Sequence, residues 1–157
     1  MKRFTFRNMQ LTLHTDYSLR TLIFLSYLEE NQTATINEVA DYYSISRNHL
    51  MKVVYNLSQK GYIKSTRGKG GGIRLARPAS EINVGDVVRD MEPNLHIVEC
   101  FNPEASPCAI APDCSLIPVL SEATNLFMSV LDRYTIDTVV KAMPNWQPIA
   151  FHEKKIS

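Results

Sequence analysis

Apolar positions Leu19, Leu22, Ile23, Leu25 and Leu28 nearly encircle a helix through residues 15–30, with Asp16 in its first turn, which predicts a central buried helix. Thr35-Ile36-Asn37-Glu38 has the form of a capping box, in which Thr35 and Glu38 each satisfy the other's backbone N–H, and predicts a helix ending near Tyr43. After the short turn Ser44-Ile45, Ser46 is placed to cap a third helix. Its Leu50, Val53, Val54 and Leu57 recur at i, i+3, i+4 and i+7, and Gly61 is its stop. The opposite face displays Arg47, Asn48, Lys52, Asn56 and Gln59.

Beyond Gly61 the period falls to two. Residues 62–66 and 72–76 read as paired strands around the loop Arg67-Gly68-Lys69-Gly70-Gly71. Asn83 caps a fourth helix carrying Val84, Val87, Val88 and Met91, with Ile82 and Val87 as a hydrophobic staple and Pro93 as the terminator. Residues 93–114 hold four prolines and three cysteines with little periodicity, a loop long enough to need an organising element. Pro118 fits a first helical turn, after which Leu120, Ala123, Phe127, Val130 and Tyr134 form a seam spaced for a partner helix. The predicted fold is mainly α with a small β-hairpin, a winged helix-turn-helix plus a long C-terminal dimerisation helix. Its parts are a DNA-binding domain over 9–80, a connecting helix and cysteine loop over 81–115, a dimerisation region over 116–142 and a tail over 143–157.

Composition narrows the function. The 157 residues are 45% apolar and 21% charged, enough to bury a core, and residues 21–28 are too short an apolar run to span a bilayer. No membrane association is expected, and the protein reads as cytoplasmic. The net charge of +1 hides a division: residues 1–80 carry twelve Lys/Arg against five Asp/Glu, residues 81–157 five against eleven. A basic half built as a helix pair followed by a basic hairpin is the order of a winged helix that binds DNA. Arg47, Asn48, His49 and Lys52 would meet base edges and backbone in the major groove, and Arg67, Lys69 and Arg74 would meet phosphates or the minor groove. The same polar face on a single helix would be no more than a solvated surface. The glycine loop is no P-loop, because it lacks the Gly-Lys-Ser/Thr ending and runs into a strand.

The cysteines are segregated as well: Cys100, Cys108 and Cys114 lie within fifteen residues. An odd number of thiols argues against a disulfide framework, and the pattern C-x7-C-x5-C lacks the tight knuckle of structural zinc. Three soft thiolates in a proline-rich loop suit an iron-sulfur cluster, with zinc or directly oxidised thiols as alternatives. One ligand is missing. His14, Asp16, His96, Glu104 and Asp113 are the candidates, and an Asp in a first helical turn is also explained by the helix dipole alone.

Taken together, Met9-Gln10-Leu11-Thr12, Thr15-Asp16-Tyr17, Arg20, Ser46-Arg47-Asn48-His49-Leu50, Arg67-Gly68 with Gly70-Gly71-Gly72, Asn83-Val84-Gly85-Asp86-Val87-Val88-Arg89 and the three cysteines resemble the winged-helix iron-sulfur transcriptional regulators. The match runs from Met9 to about residue 140. The helix start Arg47-Asn48-His49 and the pair Glu92-Pro93 place the chain nearest the branch that represses nitric-oxide defence genes. The resemblance implies a homodimer on palindromic double-stranded operator DNA and a cluster, [4Fe-4S] in preference to [2Fe-2S], held by Cys100, Cys108 and Cys114. It implies Asp16 as fourth ligand, reaching over from the partner subunit, with Arg20 orienting that carboxylate. The expected function is a nitric-oxide-sensing repressor, not an enzyme, that releases its operator on cluster nitrosylation. The alternatives are a regulator sensing cluster status or oxidants, and an electron-transfer protein, for which no second cofactor fingerprint is present.

Overall fold

A computed structural model describes residues 10–29, 32–66, 68, 71–102 and 108–143. Helix α1 (Leu13–Leu25) begins at Thr12, whose hydroxyl accepts from the Thr15 N–H at 3.3 Å. It ends earlier than the apolar run predicts. Ser26 turns its hydroxyl back onto the Ile23 carbonyl at 2.7 Å, and the backbone N–H groups of Tyr27 and Leu28 bond three residues back, to Phe24 and Leu25. Its buried side includes three hydroxyl residues besides Leu22, Phe24 and Leu25: Thr15, Ser18 and Thr21. Ser18 and Thr21 donate to the carbonyls of His14 and Tyr17, both at 2.7 Å. Small side chains satisfied within their own helix let α3 and α4 pack closely on α1.

Helix α2 (Ile36–Tyr43) has the capping box its sequence predicts: Glu38 N–H donates to Thr35 Oγ1 at 3.2 Å and Thr35 N–H to Glu38 Oε2 at 2.6 Å. Ser44 closes it in the left-handed region at φ 54°, and Ile45 N–H returns to Ala40 O at 2.9 Å. Ser46 then caps α3 (Arg47–Gln59), accepting from His49 N–H at 3.3 Å. Its apolar face, Leu50, Val53, Val54 and Leu57, is buried against α1 and α2. Gly61, at φ 74°, lets Tyr62 N–H reach back to Leu57 O and turns the chain into the hairpin.

Strands β1 (Ile63–Thr66) and β2 (Gly72–Leu75) pair antiparallel with Ile63 opposite Leu75 and Lys64 opposite Arg74. A third segment joins them. Ala34, between α1 and α2, exchanges both backbone bonds with Ile73 at 3.0 and 2.7 Å. Gly72 permits this approach, since a Cβ there would lie 2.6 Å from the Ala34 carbonyl.

After a 3-10 turn at Ala79–Glu81, Asn83 caps α4 (Val84–Met91), which buries Val84, Val87, Val88 and Met91. Two further 3-10 turns, Glu99–Phe101 and Ala111–Asp113, carry the chain to α5 (Leu116–Leu131). The seam predicted as one helix is interrupted: α5 stops at Leu131, and Thr135 starts a separate helix, α6 (Ile136–Lys141), with its own capping box to Thr138. Tyr134 therefore lies in the intervening turn, its carbonyl accepting from Val84 N–H at 2.9 Å. The break follows from long-range contacts. Asn83 Nδ2 donates to the Asp132 carbonyl at 2.7 Å, Arg89 grips the Asp132 carboxylate, and Ile136, 1% exposed, is buried in the core. No helix among the described residues is long and apolar enough to cross a membrane. Residues 1–9 and 144–157 lie outside the described residues, as does nearly all of the expected tail.

Candidate nucleic-acid interface and metal centre

Arg47, Asn48, His49 and Lys52 are all exposed on the first two turns of α3, because Leu50, Val53 and Val54 take the opposite side. Arg74 is exposed on β2 while its neighbour Ile73 is buried. The other two expected wing contacts, Arg67 and Lys69, fall outside the described residues. The register exposes a cation that the sequence pattern did not single out. Lys64 stands directly opposite Arg74, both exposed. Like charges at facing positions cost stability unless an anion comes between them, so this pair marks a face suited to a polyanion. A groove of about 700 Å³ with Lys64, Arg74 and Arg77 on its walls runs from the end of α3 along the hairpin. Tyr55 and Met51 extend the exposed face of α3, and with His14 and Asn56 they line a second open groove beside its first turns.

Beyond the packed core, side chains of α1 also reach the exposed side of α3. His14 Nε2 and Asn56 Nδ2 lie 3.0 Å apart. Burial lowers the His14 pKa, with Glu92 acting in the opposite direction, which favours the neutral ring that can accept the Asn56 N–H. One turn on, the Tyr17 and His49 rings are 6.3 Å apart and tilted by 40°. His49 thus has a neighbour on α1 as well as a place on the exposed face. Asp16 and Arg20 meet as the sequence spacing predicts, Nε to Oδ1 at 3.0 Å and Nη2 to Oδ2 at 2.7 Å, with both side chains partly open to solvent.

Cys100 sits in the Glu99–Phe101 turn, half-buried. Cys108 is exposed at the start of the stretch 108–143, and Cys114, half-buried, ends the Ala111–Asp113 turn shortly before α5. No disulfide joins them. The donor set suits an iron-sulfur group: three thiols near the surface in the short turns and loop between α4 and α5. Among the described residues of one chain, no group of three or more His, Cys, Asp or Glu side chains is assembled for a metal. Glu104, a candidate fourth ligand, lies outside the described residues, and His96 and Asp113 form no such group either.

Most of helix α5 lies open to solvent. Only Met128 is buried, while Val119, Leu126, Phe127 and Val130 are 59%, 59%, 41% and 41% exposed. Within the predicted seam Leu120 is half-buried and Ala123 exposed; Val119 and Leu126 broaden the apolar face beyond it. A cavity of about 550 Å³ opens between this face and residues 92–97, walled by Leu95, Ile97, Leu120, Ala123 and Phe127.

Residues 11–142 match the profile of Rrf2, described as an iron-dependent transcriptional regulator. The chain belongs to the Rrf2 family. It is 50% identical over 133 residues to the HTH-type transcriptional regulator NsrR of Bacillus subtilis, spanning 85% of this chain and 91% of that one. It is 47% identical to the Bacillus licheniformis protein of the same name, over 84% and 92% of the two chains. The solved structure of T. potens IscR superposes with a TM-score of 0.66 at 21% identity, covering 86% of this chain and 88% of that one, a likeness of fold. As an Rrf2 protein the chain is a transcriptional regulator rather than an enzyme, and the winged-helix architecture and family resemblance read from the sequence hold.

Proposed function

We propose that the protein is a homodimeric repressor that binds palindromic operator DNA while it holds an iron-sulfur cluster, and releases that DNA when nitric oxide attacks the cluster. The observation that carries this reading is the 50% identity to NsrR of Bacillus subtilis across nearly the whole length of both chains. Arg47, Asn48, His49 and Lys52 would read the major groove. Lys64, Arg74 and the loop residues Arg67 and Lys69 would hold the backbone or minor groove. The exposed face of α5, with Leu120, Ala123, Phe127 and Val130, supports self-association, since an apolar face of this breadth on a helix marks an interface; Tyr134 would sit at its edge. The cytoplasm is the compartment such a regulator requires.

Cys100, Cys108 and Cys114 would hold the cluster, with Asp16 of the second subunit as the hard fourth ligand and [4Fe-4S] the favoured form. When bound, the cluster supplies the iron that nitric oxide attacks. The chain's own part is to orient the Asp16 carboxylate through Arg20, and to connect the cysteine segment to α4 on one side and α5 on the other. Release of the thiolates would free that segment and with it the relative placement of the two DNA-binding lobes. The test is anaerobic purification followed by iron and sulfide analysis, visible absorption, and binding to a palindromic duplex selected by the protein, before and after addition of nitric oxide. Colourless protein with neither iron nor sulfide, or binding indifferent to nitric oxide, overturns the reading.

A further inference from the structure

Two residues where the chain enters the wing meet on one carboxylate, and a third, where it leaves, packs on one of them. Asp90, in the last turn of α4, accepts from Lys60 Nζ at 2.8 Å through Oδ1 and from the Tyr62 hydroxyl at 2.7 Å through Oδ2. Lys60 caps the end of α3 and Tyr62 leads into β1. Arg77, just past β2, lies over the Tyr62 ring at 4.9 Å, and Ala76 N–H bonds the Tyr62 carbonyl at 2.9 Å. Tyr62 is 1% exposed, the largest fully buried side chain among the described residues, so its hydroxyl reaches Asp90 from a tightly packed ring.

The ionisation states suit a fixed connection. Burial works to raise the Asp90 carboxyl, but the bonds from Lys60 and Tyr62 outweigh it and hold the pKa below the ordinary value. Burial and the bond to Asp90 push the Tyr62 hydroxyl well up. The acceptor is therefore charged and the donor neutral across physiological pH. Two residues beyond Asp90, Glu92 Oε1 accepts from the Thr12 backbone N–H at 2.7 Å, and the chain then runs on to Cys100.

We propose that Asp90 is a positioning residue for DNA binding, which sets the angle of the recognition helix and wing on α4 and passes to them the state of the cysteine segment that leaves α4. The inference rests on the function proposed above. Its physical basis is that a single side chain ties the ends of α3, β1 and α4, so that α4 cannot shift at its C-terminal end without moving the wing or breaking both bonds. Lys60 and Tyr62 act through the same carboxylate, and Lys60, half open to solvent, is the weaker of the two.

The experiment compares the parent with Asp90→Asn, Tyr62→Phe and Lys60→Ala, each cluster-loaded and cluster-free, on the palindromic duplex that the loaded parent selects from a random-sequence pool. A random duplex of equal length is the control. Asp90→Asn is expected to weaken the loaded form by about three- to thirtyfold and to narrow the gap between loaded and cluster-free affinities. The visible spectrum should stay as in the parent. Tyr62→Phe, which removes one oxygen and keeps the packing, should do the same to a smaller degree, and it carries the test if Asp90→Asn does not fold. Loaded and cluster-free forms weakened by one common factor, or affinities equal to the parent's in both Asp90→Asn and Tyr62→Phe, overturn the proposal. A parent that selects no duplex, or shows no gap, overturns the functional reading and this inference with it.

Discussion

Arg89 closes a two-pronged grip on Asp132, Nη1 to Oδ1 at 2.7 Å and Nη2 to Oδ2 at 2.6 Å, which joins α4 to the end of α5. Gly85 makes room for it: a Cβ at that position would overlap the Asp132 carboxylate. The run Asn83-Val84-Gly85-Asp86-Val87-Val88-Arg89 thus owes three of its residues to one acceptor, since Asn83 holds the Asp132 carbonyl. Alanine in place of a helical glycine ordinarily gains up to about 1 kcal/mol in helix propensity. Gly85→Ala should show no such gain in the parent, and should show it in an Asp132→Ala background. A double-mutant cycle by chemical denaturation measures the difference.

The same pair sets an acid dependence. The bond from Arg89 lowers the Asp132 carboxyl below its ordinary value. A carboxyl lowered on folding contributes stability above its unfolded pKa and loses it as the pH falls through the folded one. The stability advantage of the parent over Asp132→Asn should therefore be full at about pH 6 and close progressively below about pH 4. Thermal unfolding across that range measures it.

Arg47→Ala should cost about 1 to 3 kcal/mol on the selected duplex and relax its sequence preference. Lys64→Ala, Lys69→Ala and Arg74→Ala should instead weaken binding to all sequences and lower the salt slope by about 1 each. Titrations at several salt concentrations distinguish the two classes. A salt slope unchanged in all three wing variants would remove the hairpin from the interface.

Phe127→Glu puts a charge on the exposed apolar face of α5, where a partner helix would have to desolvate it. Sedimentation should show a monomer with its own fold intact, because Phe127 is not part of the buried core. A dimer that persists moves the interface elsewhere.

Replacing Cys100, Cys108 or Cys114 by Ala should abolish a stable cluster and the operator binding that depends on it. Asp16→Ala should differ. Water or another oxygen can stand in for a hard, exchangeable ligand, so the cluster should still assemble while its visible circular dichroism and its stopped-flow reaction with nitric oxide change. Spectra and rates equal to the parent's would reduce Asp16 to a partner of Arg20 at a helix start.

What the sequence discloses follows the range of the forces involved. The starts of α2, α3 and α4 fall where Thr35, Ser46 and Asn83 predict, since a cap acts within four residues. The end of α1 and the break between α5 and α6 do not, because Ser26 competes for a helix carbonyl and Asp132 is held by residues some forty positions away. Lys64 is not marked by the sequence for a related reason: its opposition to Arg74 exists only in the register of the folded hairpin. The cysteines were legible as chemistry, through residue type and clustering. Their geometry was not, since it depends on a loop with no period.

The bond between Ala34 and Ile73 gives the hairpin a second anchor that is remote in sequence. A wing fastened on one side to its own neighbour strand and on the other to the approach to α2 does not swing as a flap; it travels with the helix pair as a block. Loop residues 67–71 lie beyond both anchors. Their length and charge can change without altering the register of the strands below. In the proposed DNA complex, contacts at the wing tip and base reading by α3 can therefore diverge separately among relatives, and the tip can be exchanged between them as a cassette.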